Sequence, residues 1–213
     1  MMKVTTLTTT GTKEGEIELP IIFSTPFRRD LIHKVWTNLT SHKFQPQGRH
    51  PSAGQPIVGK VIYKKLNKKE NKLALCSAIA ATGSKDLIES RGHKIEGIET
   101  FPIIVSNDIE SVSKTSDILK ILNSLNLTQD IDRLESRKVR SGQSRLRGRS
   151  KKVGKSILFV TKDSTEISKA IGALPGVEVK SVKNLSVLDL APGSHSIRLT
   201  VYSKSAIEEI AKI

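Results

Sequence analysis

The sequence is poor in cysteine, in aromatic residues and in long apolar runs, and each shortage excludes a class of protein. Among 213 residues there is one cysteine, Cys76, so neither an internal disulfide nor a multi-cysteine metal site is expected. Aromatic residues make up 4% of the chain, too few to predict a stacking platform for single-stranded bases. No apolar run approaches the ~20 residues that a membrane-spanning helix needs, so no membrane partner is expected. These features favour a reducing, cytoplasmic location.

Acidic residues are also scarce relative to basic ones. The chain has 35 Lys and Arg against 21 Asp and Glu, which gives a formal net charge of +14. An excess of this size indicates a polyanionic partner, either nucleic acid or an acidic membrane surface. The lack of apolar runs favours nucleic acid.

The positive charge is most concentrated in residues 137–155, RKVRSGQSRLRGRSKKVGK, which we call the basic segment. It contains nine Lys and Arg, three glycines and no acidic residue. Its few apolar residues follow neither a helical nor a strand period. Such a segment buries too little apolar surface to offset its ordering entropy, so we expect it to be disordered by itself and to become ordered against phosphates. A solvated linker with a basic bias is the alternative interpretation.

A second basic region surrounds a loop rich in proline and glycine, residues 42–66, where regular structure is not expected. The cations beside the first predicted helix could equally form a solvated polar face. The candidate RNA-binding residues near that helix and loop are Arg28, Arg29, Lys43, Arg49, His50, Lys60, Lys64 and Lys65. Those in the basic segment are Arg137, Lys138, Arg140, Gln143, Arg145, Arg147, Arg149, Lys151, Lys152 and Lys155.

Hydrophobic periodicity predicts an α/β fold with a mostly parallel sheet flanked by helices in a Rossmann-like, three-layer arrangement. The pattern predicts a hairpin over 3–22, a helix from about Asp30 with that residue as its cap, and a buried helix over 68–82 that opens with an Asn67–Glu70 capping box. Apolar runs at 101–106 and 156–161 predict buried strands, residues 177–182 and 197–202 predict two further strands, and Ser205 is expected to cap the last helix. We expect a single domain over residues 1–213.

A doubly wound sheet invites an enzymatic interpretation, but the motifs do not support it. There is no G-x-G-x-x-G after a strand and no G-x-S-x-G. The nearest candidate for a phosphate loop, 148–156, has five residues between its glycines and precedes a strand, so no helix N-terminus would face a phosphate. The five histidines are scattered without metal-ligand spacing. We therefore predict no catalysis, no cofactor and no metal. The alternative is a nucleotide- or nucleic-acid-processing enzyme, which would show a dry pocket at the carboxyl ends of the strands.

Five motifs in colinear order resemble the archaeal and eukaryotic branch of the universal large-subunit ribosomal protein four family. They are QPQGRHPSAGQ (45–55), KLALCSAIAAT (72–82), RGH (91–93) before FPIIVSND (101–108), KVRSGQSRLRGR (138–149) before SILFV (156–160), and LAPGSH (190–195) followed by RLTVYSKSAI (198–207). The resemblance covers nearly the whole chain.

This resemblance implies a globular α/β domain that binds and organises large-subunit rRNA, and an arm directed toward the nascent-peptide tunnel. It implies that the arm begins at residues 49–54, that the basic segment is the second rRNA-contacting loop, and that residues 191–195 are structural and close the sheet edge. The family has a longer arm after PSAGQ, whereas Gln55 here leads almost directly to Lys60, so we expect an arm that is either shortened or incomplete in this sequence. Ile197 stands where relatives tend to have glycine.

The resulting hypothesis is a structural constituent of the large ribosomal subunit in the cytoplasm. Its partners would be rRNA and neighbouring large-subunit proteins, without homo-oligomerisation. A free-standing regulator that binds its own message through the same surface is the third alternative, and one RNA-binding face could serve both roles.

Overall fold

The computed structural model describes residues 3–45, 64–135, 139–152 and 154–212. The strands in this part of the chain are β1 (Lys3–Leu7), β2 (Lys13–Glu18), β3 (Ile103–Val105), β4 (Leu158–Thr161), β5 (Glu178–Ser181) and β6 (Thr200–Ser203). The α-helices are α1 (Arg29–Ser41), α2 (Lys68–Ala81), α3 (Lys85–Ser90), α4 (Thr115–Ser124), α5 (Thr128–Glu135), α6 (Gln143–Leu146), α7 (Thr165–Ile171), α8 (Val187–Leu190) and α9 (Lys204–Ile210).

The six strands form one sheet in the order β2-β1-β3-β6-β4-β5. Only the β1–β2 hairpin is antiparallel, and every other neighbouring pair is parallel. The predicted α/β class with a mostly parallel sheet is therefore confirmed. The hairpin over 3–22 is also present, and β2 is an edge strand that ends before Pro20, a residue that cannot donate to a strand ladder.

The sheet separates two hydrophobic clusters, because successive side chains of a strand point to opposite faces. In β4, Leu158 and Val160 pack into the cluster that holds α1, α2, α8 and α9, whereas Phe159 between them packs into the opposite cluster with α3, α4, α5 and α7. In β6, Tyr202 and Val201 divide in the same way. Both faces of the central strands are covered, which gives the expected three layers.

Several helix starts differ from their predicted caps. Asp30 lies in the first turn of α1 and pairs with Arg28 instead of capping the helix. The side chain of Asn67 does accept a hydrogen bond from the Lys69 amide at 3.0 Å, but Glu70 bonds Lys34, so the predicted box does not close. The cap of α9 is Ser203 and not Ser205. In each case a competing side-chain partner decided the outcome.

The chain direction defines two ends of the sheet. We call the end at which β3, β4, β5 and β6 begin the amino end, and the opposite one the carboxyl end. Both flanks of the basic segment reach the amino end, since α5 precedes the segment and β4 follows it. Open α/β enzymes bind their ligands outside the carboxyl ends of the strands, so this placement separates the basic segment from the usual enzyme site.

Candidate nucleic-acid interface

The described part of the basic segment forms a closed loop at the amino end of the sheet. Val139 pairs with Lys151 in an antiparallel bridge, and the Arg140 amide donates to the Ser150 carbonyl at 2.7 Å. One helical turn, α6, lies between them. The described part of the segment therefore contains local structure although its apolar residues follow no period, and its disorder in the absence of phosphates stays a prediction. Local backbone hydrogen bonds close the loop, and these need no apolar periodicity.

The cations of this loop are directed to solvent. Arg145, Arg147, Arg149, Lys151 and Lys152 are all exposed. Within the described residues, none of these five side chains makes an ion pair or a hydrogen bond. Gln143 is also exposed and Arg140 is half-buried. The loop thus presents positive charge that no described carboxylate neutralises.

Lys155, at the end of the basic segment, has a different environment. Its ammonium group pairs with the carboxylate of Glu178, which also accepts a hydrogen bond from Arg198 at 2.6 Å. Burial raises the pKa of Glu178, but the hydrogen bonds from Lys155 and Arg198 outweigh it, so its pKa lies below the usual range. The positive charge of Lys155 is therefore partly neutralised by a carboxylate of the protein itself.

The two candidate arginines at the start of α1 also differ. Arg28 holds Asp30 through two hydrogen bonds of 2.8 and 3.0 Å. This contact lowers the pKa of Asp30 to about 2. Arg29 is exposed and has no ion-pair partner among the described residues. Of the two, only Arg28 is paired with a described carboxylate, so the charge of Arg29 is available to a ligand.

The Pro/Gly loop leaves and re-enters the domain at one point. The Lys64 amide donates to Ser41 Oγ at 3.1 Å, and Asn38 Nδ2 donates to the Lys65 carbonyl at 3.3 Å. These contacts join the end of α1 to the chain just before α2, and we call them the stem. The exposed cations Lys43, Lys64 and Lys65 flank it. The remaining candidates Arg49, His50, Lys60, Arg137 and Lys138 lie outside the described residues.

The stem and the basic segment are separate surfaces. Arg29 begins α1 and the stem contacts its last turn, so most of the 13 residues of the helix separate them. A helix of that length spans about 20 Å. The structure therefore brings Arg29 near the basic segment and leaves the stem cations apart from both.

A cleft of about 520 Å³ opens at the amino end of the sheet. Its walls carry Arg29, Arg91, Arg133 and Lys155. Sequence reasoning did not select Arg91 or Arg133 as site residues, although Arg91 belongs to the RGH motif. No acidic residue lines the cleft within the described part of the chain.

Arg91 is fixed by backbone carbonyls of the 191–196 loop. Its guanidinium donates to Ser196 O at 2.7 Å and to Pro192 O at 2.9 Å. Burial lowers its pKa to about 10, and the neighbouring charges of Arg198 and Arg133 act in the same direction.

The 191–195 stretch leads into the amino end of the central strand β6, and not along an outer edge of the sheet as the resemblance implied.

Beneath the cleft, Asp130 is fully buried and accepts hydrogen bonds from four donors. These are His93 Nδ1 at 3.1 Å, the Lys94 amide at 3.1 Å, Arg133 Nε at 3.0 Å and Ser156 Oγ at 2.6 Å. Burial alone would raise the pKa of Asp130. The hydrogen bonds from His93, Ser156 and Arg133 outweigh burial and hold the pKa well below its usual range.

This Ser/Asp/His set does not form a catalytic triad. The carboxylate lies between the serine and the histidine, whereas a nucleophilic serine needs the imidazole beside its hydroxyl. Ser156 is fully buried, and its hydroxyl donates a hydrogen bond to the carboxylate of Asp130. His93 Nε2 accepts a hydrogen bond from the Leu199 amide at 3.3 Å, so the ring is neutral with its proton on Nδ1. Burial accordingly lowers the pKa of His93. The cluster is a structural connection between α5, β4 and β6.

Arg198 completes this framework, and sequence reasoning also missed it. Its side chain is fully buried and donates to the carbonyls of Ser156, Ile157 (3.0 Å) and Gly176 (2.7 Å). Burial lowers its pKa, and the pairing with Glu178 opposes that effect. One arginine thus joins the beginnings of β4, β5 and β6.

At the carboxyl end of the sheet, the carboxylate of Glu110 is also hydrogen-bonded to other groups of the protein. Its carboxylate accepts from Ser203 Oγ at 2.6 Å, from Ser205 Oγ and from the Lys162 amide at 3.0 Å. Burial raises the pKa of Glu110, but these hydrogen bonds outweigh it and lower the pKa. The carboxylate joins the ends of β4 and β6 instead of facing a substrate.

Two further searches concern the described residues only. No helix among them combines the length and apolar character needed to cross a membrane. They also contain no group of three His, Cys, Asp or Glu side chains arranged to hold a metal ion.

Fold and surface together define a basic α/β protein whose buried charges are hydrogen-bonded internally and whose basic segment presents exposed cations. A sequence model of the ribosomal protein L4/L1 family matches residues 53–213. The chain therefore belongs to the ribosomal protein L4/L1 family, a structural and non-enzymatic family, which confirms both the recognised resemblance and the prediction that the chain is not an enzyme.

Named relatives agree with this assignment. The chain is 37% identical to the large ribosomal subunit protein uL4 of Sulfurisphaera tokodaii, over 95% of the chain and 91% of the relative. It is 34% identical to the protein of the same name from Methanococcus aeolicus, over 99% of both chains. For the Methanospirillum hungatei protein the identity is 38%, over 98% of both. These proteins are ribosome components, which agrees with the expected cytoplasmic, archaeal-type assignment.

The lengths of these alignments bear on the arm. The first runs over 243 positions and the second over 250, whereas the chain has 213 residues. The relatives therefore contain residues that have no counterpart in this sequence.

Proposed function

We propose that this protein is a structural component of the large ribosomal subunit that binds and organises large-subunit rRNA during assembly. The observation that carries the proposal is the loop of residues 139–152, which holds six Lys and Arg and no acidic residue. Five of these side chains are exposed and lack a partner among the described residues. Arginine forks match phosphate oxygens bidentately, so such a loop suits the RNA backbone.

Binding would depend on phosphates and on RNA shape more than on base edges. The deep, narrow major groove of A-form RNA does not admit side chains, and aromatic residues that could stack on bases are few. Neighbouring large-subunit proteins would be the other partners, with one copy of the chain in each subunit.

We extend the proposal to the Pro/Gly loop of residues 42–66, as a shortened arm directed toward the nascent-peptide tunnel. The stem supports an arm, because it holds both flanks of the loop together at the end of α1. The exposed cations Lys43, Lys64 and Lys65 would bind phosphates where the arm leaves the domain.

Salt dependence of rRNA binding tests the proposal. If about six cations of the basic segment each neutralise a phosphate, affinity should fall roughly 10³-fold between ~50 and ~200 mM salt. The variant Arg145→Ala/Arg147→Ala/Arg149→Ala should bind large-subunit rRNA more weakly. Its slope of log K against log salt should be shallower by about 2 to 3, because each lost phosphate contact removes about 0.7 to 0.9.

The matched control removes three cations from the carboxyl end of the sheet. In Lys162→Ala/Lys183→Ala/Lys204→Ala the same number of charges is lost from exposed positions just after β4, β5 and β6. Its slope should stay near that of the wild-type protein. Equal effects of the two triple variants would mean that only net charge matters, and would contradict a defined interface.

A further inference from the structure

The cleft at the amino end of the sheet lies where the basic segment joins the domain. Arg133, in α5 just before the segment, donates to the backbone carbonyl of Lys155, at the segment's end, at 3.3 Å. Both residues line the cleft. An RNA strand that follows the exposed cations of the loop toward the domain therefore meets this cleft.

The charges around the cleft do not cancel. Five cations of the described residues surround it or lie directly beneath it, and the described carboxylates that pair with them are those of Asp130 and Glu178. His93 is neutral, because its Nε2 accepts a hydrogen bond from the Leu199 amide. Among these described groups, positive charges exceed negative charges by three. The cations are Arg29, Arg91, Arg133, Lys155 and Arg198.

Like charges held at short range raise the free energy of the folded protein. Consistent with this, Arg198 and Arg133 both lower the pKa of Arg91. Arginine does not lose its proton near neutral pH, so the repulsion is relieved by solvent screening and by anions. An anion bound in the cleft, at short range from these cations, would relieve more of it.

Donors that can hold an anion are already oriented. A guanidinium carries five N–H groups, and Arg91 uses one on Ser196 O and one on Pro192 O. These two carbonyls fix the plane of the guanidinium and leave further N–H donors for a ligand. Arg29 is exposed and has no described partner. The cleft volume of about 520 Å³ is ample for a phosphate group with its attached ribose.

We propose that the cleft binds one phosphate group of the RNA backbone, held by Arg29, Arg91 and Lys155 at the point where the basic segment enters β4. This inference rests on the proposed rRNA binding and adds a defined subsite to it. The subsite would fix the register of the RNA on the domain, because a phosphate in a cleft has fewer available positions than a phosphate on an open loop. A free phosphate has the same chemistry as a backbone phosphate, so the test includes both.

The test compares Arg29→Ala with Lys204→Ala. Both remove one exposed cation, the first at the cleft and the second at the carboxyl end of the sheet. Binding of in vitro transcribed large-subunit rRNA is measured as a function of salt. We expect Arg29→Ala to reduce the slope of log K against log salt by about 0.7 to 1, and Lys204→Ala to leave it unchanged. In parallel, inorganic phosphate is titrated at constant ionic strength while the ring signals of His93 and His195 are followed by NMR.

The outcomes separate this inference from the proposed function. If both single variants keep the wild-type slope while Arg145→Ala/Arg147→Ala/Arg149→Ala lowers it, the cleft proposal is wrong and rRNA binding by the loop stands. If the wild-type protein shows no salt-dependent rRNA binding, both proposals fall. Saturable phosphate binding that Arg29→Ala abolishes, together with an unchanged RNA slope, would assign the cleft to a free anion and overturn the RNA subsite.

Discussion

At the scale of single residues, the protein uses charge in two different ways. Asp130 and Arg198 are completely buried and each makes four hydrogen bonds to different partners, and together they connect α5 to the beginnings of β4, β5 and β6. Arg145, Arg147 and Arg149 are exposed, and their side chains contact no described partner. Substitutions in the first group should therefore change stability, and substitutions in the second should change binding.

Replacement of Asp130 by asparagine should be strongly destabilising. The amide would accept fewer hydrogen bonds and would place N–H donors against donors, which leaves parts of His93, Ser156 and Arg133 unsatisfied. Breaking a buried charged pair by changing one partner typically costs about 3–5 kcal/mol. Urea denaturation measures the loss. Asp132→Asn, at an exposed position of the same helix, is the matched control and should change the free energy of unfolding by less than about 0.5 kcal/mol.

The buried His93 should make the stability depend on pH. Its ring faces Asp130, Arg133 and Arg91, and burial lowers its pKa in the folded protein. As pH falls below the unfolded value of about 6.5, the unfolded chain binds the proton first. The free energy of unfolding should therefore be at its full value above pH ~6.5 and decrease as the pH falls toward the lowered pKa of the folded protein.

His93→Asn should remove this contribution and flatten the profile of the free energy of unfolding between about pH 5 and 7. It should also lower stability at pH 7 by about 1–3 kcal/mol, because the Leu199 amide loses its acceptor. The same substitution at the exposed His195 is the control. An unchanged pH profile in His93→Asn would show that other groups carry the acid sensitivity.

At the scale of elements, the start of α2 is the clearest case of a local sequence signal that decides structure. Asn67 caps the helix through the Lys69 amide at 3.0 Å. Three lysines, Lys68, Lys69 and Lys72, follow in the first turns, where the helix dipole disfavours cations. The cap therefore stabilises a helix start that its charges oppose.

Asn67→Ala should destabilise the protein by about 1 kcal/mol, the usual effect of losing a side-chain N-cap. Asn184→Ala, at an exposed position without a described side-chain partner, should stay within about 0.5 kcal/mol of the wild-type protein. Thermal denaturation of both variants provides the comparison. Equal melting temperatures would mean that packing against α1, and not the cap, fixes the start of α2.

At the scale of the whole molecule, the net charge of +14 should itself affect stability. Repulsion among the excess positive charges disfavours the compact folded state, and salt screens this repulsion. The free energy of unfolding should therefore rise between about 20 and 200 mM sodium chloride. The rise should be smaller in Arg145→Ala/Arg147→Ala/Arg149→Ala, whose melting temperature should otherwise be nearly that of the wild-type protein. A large drop in that temperature would indicate that the loop packs on the domain.

Hydrophobic periodicity was sufficient to predict the α/β class, the hairpin and the strands, because these depend on local patterns. The buried charges were missed, although two signals were present. Asp130 shares a helical face with Leu127, Ile131 and Leu134, and Arg198 lies between the apolar residues Ile197 and Leu199 in a run predicted as a strand. A charged residue at such a position has to find partners inside the protein. The partners could not be predicted, because His93 and Glu178 come from distant parts of the chain.

The cleft could not be predicted from the sequence, for the same reason. Arg29, Arg91 and Lys155 are far apart in sequence and meet only because the sheet brings their elements to one end. The basic segment was recognised in the sequence as a run of positive charge. Its closed shape depends on the Val139–Lys151 bridge, which no periodic pattern in the sequence predicts. The assignment of the chain to one domain remains a prediction.

The stem at the end of α1 has a consequence for how such proteins can diverge. Because Ser41 and Asn38 hold both flanks of the loop together, the domain is indifferent to how many residues lie between them. Doubling the length of a flexible loop with fixed ends costs only about 0.6 kcal/mol. The number of residues between these two flanks can therefore change by insertion and deletion at this one place, with little expected cost to the sheet, its helices and the amino-end cleft.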